Sequence, residues 1–317
     1  MFNMILRKNS VVAPRKGRKE MNTFLALCYT FLWSSAAVAT KFGLEAGPPL
    51  ILASLRFSMA GVFLWIPWSV KHKRLWPEKA VTGPLAILGL LNTTLYLGAS
   101  FEALRVVSAG LFNLFVAVNP FFVLLLDRIW LGRTVRPIQW SGFAVATIGL
   151  AIGSWQAVRQ FSTPWWAIGL MVGGQMSMAL GSIYFHQTRM TLSSITVNTW
   201  QLIWGAIFLW PFAFLLPGSK NVTWNLEWWG GLAWLVGAVS IGAMLLWFRL
   251  LRRGAAQASM WLLLTPVIGY VLGLIFLHES FTQADMISSI FVMIGLILFR
   301  TKKEARLKSS SGRDLRK

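Results

Sequence analysis

The sequence predicts an all-α integral membrane protein, with ten transmembrane helices forming two five-helix repeats that enter the bilayer in opposite senses. Three observations carry this prediction. Of 317 residues, 56% are hydrophobic and only 13% charged, and the mean hydropathy of +0.60 is more than a water-facing surface carries, which excludes a soluble enzyme. The apolar residues collect into ten runs close to the ~20 residues that cross hydrocarbon. The chain also matches itself at an offset of 146 residues.

The runs span residues 22–43, 49–70, 82–103, 108–126, 137–155, 164–186, 195–216, 228–250, 256–277 and 284–300. Backbone facing lipid must bond internally, and the runs lack the alternation of barrel strands, so each is read as a helix. The first follows a basic segment as a secretory signal would. Its length, Lys41 near its far end and the lack of a small-residue cleavage motif predict a retained helix. Met21 stands where this helix begins, so residues 1–20 are either a basic cytoplasmic tail or an over-long start. Residues 21–155 then form the first repeat, 164–300 the second, and 301–317 a second basic cytoplasmic tail.

The net charge of +20 would by itself suggest an anionic polymer as partner. Its distribution points elsewhere. With the N-terminus inside, Lys71, Lys73, Arg74, Lys79, Arg128, Arg133, Arg136, Arg189, Arg249, Arg252 and Arg253 fall on inner loops, against Arg105, Arg159 and Lys220 outside. This is the positive-inside pattern, and it predicts a multi-pass plasma-membrane (bacterial inner-membrane) protein with both termini cytoplasmic. The partners expected are the lipid bilayer and a small-molecule substrate, not nucleic acid; a homodimer is left open. Cys28 is the single cysteine. The sequence has no phosphate-binding glycine loop, metal-spaced histidine cluster or nucleophile triad, so no catalytic residue, metal or cofactor is expected.

At the 146-residue offset Ala109 falls on Ala255, Pro120 on Pro266, Leu131 on Leu277 and Ile148-Gly149-Leu150 on Ile294-Gly295-Leu296. Five spans per half is an odd number, so the second repeat is inverted relative to the first, the architecture of secondary transporters with a midplane site between halves. Pro120 and Pro266 interrupt the fourth and ninth spans and free the carbonyls of Val116 and Leu262. Paired breaks of this kind mark either the binding region or two packing kinks.

Leu32-Trp33-Ser34-Ser35, Lys41-Phe42-Gly43-Leu44, Pro48-Pro49, Leu55-Arg56-Phe57, Ala103-Leu104-Arg105, Ser108-Ala109-Gly110, Asn119-Pro120 and Leu131-Gly132-Arg133 resemble the drug/metabolite transporter superfamily, EamA type. Leu264-Thr265-Pro266 and Phe276-Leu277-His278-Glu279-Ser280 repeat the scheme. The resemblance covers residues 21–300 and implies ten helices in two inverted EamA repeats, cytoplasmic termini and solute movement through a central cavity. It departs from the pattern at Arg133, where Leu-Gly-Glu is usual; only the second half keeps the acid, as Glu279, read as a structural feature of the loop. The small multidrug relatives carry a glutamate in the first helix, and no acid lies between Met21 and Gly43.

Ionisable groups within spans are costly and are candidates for function. Arg56 either binds a substrate carboxylate in bidentate fashion or holds helices together. Glu102 and His186 are the candidates for ion coupling, against an ion pair of Glu102 with Lys41 or Arg105 and an interfacial role for His186. Asn92 and Tyr96, four apart on one helix face, with Asn113, Asn119, Gln175 and Gln201, either line a cavity or join helices. Trp33 and Trp261 lie deep enough for an aromatic wall, whereas Trp68, Trp76, Trp165, Trp166, Trp228 and Trp229 read as interfacial belts. The function expected is a secondary transporter that exports amino acids or related small metabolites by alternating access. A drug or nucleoside exporter or a passive facilitator of the same fold is the alternative. A membrane scaffold or integral membrane enzyme is the rival of another class, and would need an acid/base or metal constellation that the sequence lacks.

Overall fold

The computed structural model describes residues 16–300 except 133, 135, 162, 189–191, 216–221, 253–257 and 259. Arg133, Arg189, Lys220 and Arg253 of the charge pattern, residues 1–15 of the N-terminal tail and all of 301–317 lie outside the described residues. Among the described residues every regular element is helical. Ten helical spans follow in order: α1 Lys16–Ala46, α2 Pro49–His72, α3 Lys79–Leu104, α4 Ala109–Trp130, α5 Pro137–Phe161, α6 Trp165–Gln187, α7 Ser194–Leu215, α8 Leu226–Leu251, α9 Met260–Leu264 continued by Thr265–Leu277, and α10 Gln283–Arg300. Seven of them, α1 to α6 and α8, are long and apolar enough to cross a membrane. In α7, 22 residues long, Asn198, Thr199 and Gln201 dilute the apolar run, and α9 and α10 are shorter apolar helices.

The duplication reappears in the backbone at the same offset. The fourth span stops at Val118 and restarts at Asn119, with Pro120 in the first turn of the new segment; the ninth stops at Leu264 and restarts at Thr265, with Pro266 in the equivalent place. Both restarted helices end on a left-handed residue, Gly132 and His278. The α5–α10 pair shows the same symmetry in its crossing. A Cβ at Gly149 would stand 2.8 Å from the Ser288 carbonyl oxygen, and one at Gly295 would stand 2.5 Å from that of Gly142. Each glycine therefore lets the partner backbone approach where a side chain could not fit.

Two features depart from regular α-helices read along the chain. Gly89–Leu97 within α3 and Leu235–Ala243 within α8 are π-helical. Gly98 N–H reaches the Thr93 carbonyl and Met244 N–H that of Val239, the five-residue spacing that defines this geometry. These stretches too are equivalent at the 146-residue offset. The other departure is at the N-terminus, where α1 already runs from Lys16, so Met21 lies inside the helix.

The halves are interleaved. Equivalent helices pair with each other, α5 on α10, α2 on α7 and α4 on α9, while α1 packs against α8 and α9 as α6 packs against α3 and α4. The buried polar side chains of the two halves consequently meet along one shared interface.

Candidate functional site

The polar residues of α2, α3, α7 and α8 form one buried chain of hydrogen bonds. Arg56 Nε donates to Ser240 Oγ at 2.7 Å. Asn198 Nδ2 donates to the Ser240 carbonyl at 2.8 Å, Gln201 Nε2 to Asn198 Oδ1 at 3.1 Å, and Asn92 Nδ2 to Gln201 Oε1 at 3.3 Å. The links between halves are pseudo-symmetric: the second helix of each half reaches the third helix of the other, as Arg56 to Ser240 and as Gln201 to Asn92. The Arg56 guanidinium is 1% exposed and lies 5.2 Å and 5.6 Å from the ring centres of Phe57 and Phe101. Among the described residues it has no carboxylate partner, and its Nη2 has no hydrogen-bond partner.

Beside this chain stands an aromatic array. Trp33 stacks on Tyr96 with ring centres 6.3 Å apart and on Tyr29 at 5.8 Å, and Tyr29 stacks on Trp247 at 5.2 Å. Tyr29 and Trp33 are one turn apart on α1, so they share a face. Tyr96 interacts with the Trp33 and Gln175 side chains and lies within electrostatic reach of Arg56. The Tyr29 hydroxyl is buried without a partner among the described residues. An unpaired buried donor or acceptor costs about 1–3 kcal/mol, and Arg56 Nη2 and Tyr29 OH are two of the thirteen buried side-chain atoms left without a partner among the described residues.

A family model described as the EamA-like transporter family matches residues 21–155 and again 165–301. The chain belongs to the EamA-like transporter family. The uncharacterized transporter YvbV of Bacillus subtilis is 26% identical, over 93% of this chain and 96% of that protein. The uncharacterized inner membrane transporter YedA of Escherichia coli K12 is 24% identical (84% and 85%), and protein PecM of Dickeya dadantii 27% identical (87% and 90%). One crystal structure, 17% identical, shares the fold with a TM-score of 0.62, over 89% of this chain and 96% of that one. As a member of a transporter family, this chain is a multi-pass membrane protein with the ten-helix EamA architecture.

Within this EamA-like transporter the candidates occupy separate places. Asn119 and Gln175 are buried and bonded to each other, Asn119 Nδ2 donating to the Gln175 carbonyl at 3.1 Å and its Oε1 at 3.2 Å, which ties α4 to α6. Asn113 donates to the carbonyls of Ser34 and Ala109 and packs tightly on Gly269, the contact of α1 and α9 with α4. Asn92 and Tyr96 both face α6, Asn92 against Gly181 and Tyr96 against Gly174, despite the π-helical backbone that carries them. Trp261 is half-buried in the short turn before Thr265; its carbonyl accepts from Thr30 Oγ1, and it stands outside the aromatic array. His186 is exposed at the end of α6. Glu102 pairs with Arg105 at 3.1 Å on the rim.

The two proline breaks act differently. The carbonyl of Leu262, freed by Pro266, and the carbonyl of Asn113 share the single Thr265 hydroxyl hydrogen, at 2.6 Å and 2.9 Å from Oγ1. Asn119, the equivalent of Thr265, reaches instead to α6. The breaks therefore position side chains that join helices.

Glu279, in the α9–α10 loop, does what a structural acid of the loop should. Its Oε1 accepts from Ala109 N–H at 2.8 Å and its Oε2 from Gly110 N–H at 3.4 Å, capping α4 of the other half. Lys41 lies 3.8 Å away. Lys41 and Glu279 line a cavity of about 250 Å³ together with Arg105, Ser108, Gln156 and Asp285, at the face where α1, α3, α5 and α9 end.

The expected tryptophan belts need correction. Trp76, Trp165, Trp166 and Trp229 are exposed, as lipid-interface residues should be, but Trp68 and Trp228 are core. Trp68 Nε1 donates to Thr196 Oγ1 at 3.1 Å, and Trp228 fills the space over Gly47 in the α1–α2 turn. Position at a span end predicted the belt; packing between halves took both rings inward. Sequence reading also missed Tyr29, Asn198, Ser240 and Trp247. Tyr29 was findable, as one of four tyrosines and one turn before Trp33, and Asn198 as the residue one turn before Gln201. A lone serine or tryptophan in an apolar span carries no such signal.

Proposed function

We propose that this protein is a secondary transporter that exports amino acids or related small metabolites by alternating access between its two five-helix halves. The observation that supports this best is the Arg56 guanidinium, buried at the interface between halves with no carboxylate beside it and one nitrogen unpaired, next to the array of Trp33, Tyr29, Tyr96 and Trp247. A guanidinium so placed suits a substrate carboxylate, and aromatic faces suit the apolar remainder of a small metabolite. Rocking of interleaved halves is consistent with a cluster built from helices of both.

The charge pattern supports cytoplasmic termini, and the YedA relative, described as an inner membrane transporter, supports the bacterial inner membrane. In that orientation the cavity beside Lys41 and Glu279 opens outward. Glu102 is the carboxylate we assign to ion coupling; flux driven by an imposed pH gradient should lose that dependence in Glu102→Gln.

The test is transport by the purified chain in proteoliposomes, with aromatic and aliphatic amino acids, nucleosides and cationic drugs competing side by side. Preferential competition by amino acids is the expected result. Movement of none of the panel in either direction overturns the proposal, and preference for nucleosides or cationic drugs transfers it to the alternative substrate classes.

A further inference from the structure

Tyr29 is the fully buried polar residue of the aromatic array whose own hydroxyl no group among the described residues satisfies. Its ring is held on two sides, by Trp33 at 5.8 Å and Trp247 at 5.2 Å between ring centres, one wall from α1 and the other from α8 of the opposite half. A ring clamped in this way has little freedom to swing its hydroxyl toward another partner. Trp33 stacks on both Tyr29 and Tyr96, at 5.8 Å and 6.3 Å between ring centres, and Tyr96 lies within electrostatic reach of Arg56, so the unpaired hydroxyl and the unpaired Nη2 flank the same tyrosine. The pseudo-equivalent of Tyr29 at the 146-residue offset is Gln175, and there the polar group is used within the protein, accepting from Asn119. The second half thus satisfies this position internally, whereas the first leaves it open at the interface.

We propose that Tyr29 is a substrate-binding, specificity-determining residue whose hydroxyl donates to the same substrate carboxylate that Arg56 Nη2 receives. Resting on the transport reading above, this assigns the site to monocarboxylates with a small apolar body that lies along the Trp33 and Trp247 rings. Two donors from α1 and α2 then read one carboxylate, a hydrogen bond to a charged acceptor being stronger than one to a neutral acceptor. An uncharged amide in place of the carboxylate leaves both donors poorly matched.

The experiment compares wild type and Tyr29→Phe in proteoliposomes, measuring uptake of labelled phenylalanine and leucine and its inhibition by each unlabelled amino acid and by phenylalaninamide and leucinamide. Tyr29→Phe keeps the ring and its stacking. The expected result is that wild type prefers acid over amide and that the variant loses about tenfold of that preference, through a raised KM for the acids with little change in inhibition by the amides. Thermal unfolding in detergent runs alongside, because a purely structural hydroxyl would move the midpoint and leave the acid-to-amide ratio alone. An unchanged ratio in an active variant overturns the role of Tyr29 and leaves the transport reading standing. Wild-type vesicles that take up neither amino acid overturn both.

Discussion

The two halves of the bundle share a backbone plan down to the residue at which helices break, turn π-helical or end, yet at the centre they carry different chemistry. In the first half α2 brings a cation, Arg56, to the third helix of the other repeat; in the second, α7 brings the neutral Gln201 to the same relation. Gln201 is bonded on both sides, to Asn198 and Asn92, while Arg56 keeps a nitrogen free. Tyr29 and Gln175 repeat the contrast. At the rim the second half contributes Glu279, which caps a helix of the first, whereas the corresponding loop position in the first half is Arg133. The duplication thus supplies a symmetric frame, and at the Arg56–Gln201 and Tyr29–Gln175 pairs the first half keeps the unsatisfied polar group, the one that the proposed substrate carboxylate would use.

The strongest test of this asymmetry makes the halves alike. Arg56→Gln gives α2 the side chain α7 already has. Transport of a carboxylate substrate should fall about a hundredfold, the scale of losing a charge-assisted hydrogen bond in a dry site, while the protein still purifies as a monodisperse species by size exclusion. The reverse change, Gln201→Arg, buries a second cation within a hydrogen-bonded chain and should cost about 3 kcal/mol, read as loss of folded yield. If Arg56→Gln transported normally, Arg56 would be a structural link between α2 and α8 and the contrast would carry no function.

The α5–α10 crossing tests the opposite claim, that the frame is symmetric. Gly149→Ala and Gly295→Ala each push a methyl group into the facing backbone, and each should lower stability by about 1–3 kcal/mol. Equal shifts in the thermal midpoint are expected; a large effect at one glycine only would show that the crossing is not equivalent in the two halves. Glu279→Gln should act more weakly, by about 1 kcal/mol, since it weakens a cap and a loose pair with Lys41 in a partly exposed setting. Its effect should shrink at high salt.

The frame was legible in the sequence because it is written in features that read locally. Apolar length marks the spans, and Pro120 and Pro266 at equivalent positions mark the restarts. The π-helical stretches were not legible: Gly89 begins one and Leu235 the other, and no equivalent position in them carries the same residue to announce a five-residue bond. Arg56, Asn92, Tyr96 and Gln201 were found because a polar group in an apolar run is conspicuous. Ser240 was not, because a serine in a helix ordinarily bonds its own backbone, and only the fold shows Arg56 arriving at its hydroxyl. Trp68 and Trp228 were misplaced because distance along a helix says nothing about which face the other repeat covers.

The smallest effect expected lies on α6 and α1, at equivalent places where the halves differ only in how they meet their surroundings. Gly173 and Gly174 correspond to Leu27 and Cys28 at the 146-residue offset. Nothing approaches a Cβ at Gly173, and its counterpart Leu27 is exposed. A Cβ at Gly174 would stand 3.3 Å from the Tyr96 carbonyl oxygen and 3.6 Å from Ala99 Cβ. Gly173→Ala should therefore raise stability by about 0.5–1 kcal/mol through backbone entropy alone and leave transport unchanged. Gly174→Ala should forfeit that gain, because the methyl group presses on the helix that carries Tyr96, and should raise KM modestly. Matched midpoints and matched kinetics for the two variants would mean that the α3–α6 contact yields freely, and that Tyr96 is less firmly held in the aromatic array than its packing indicates.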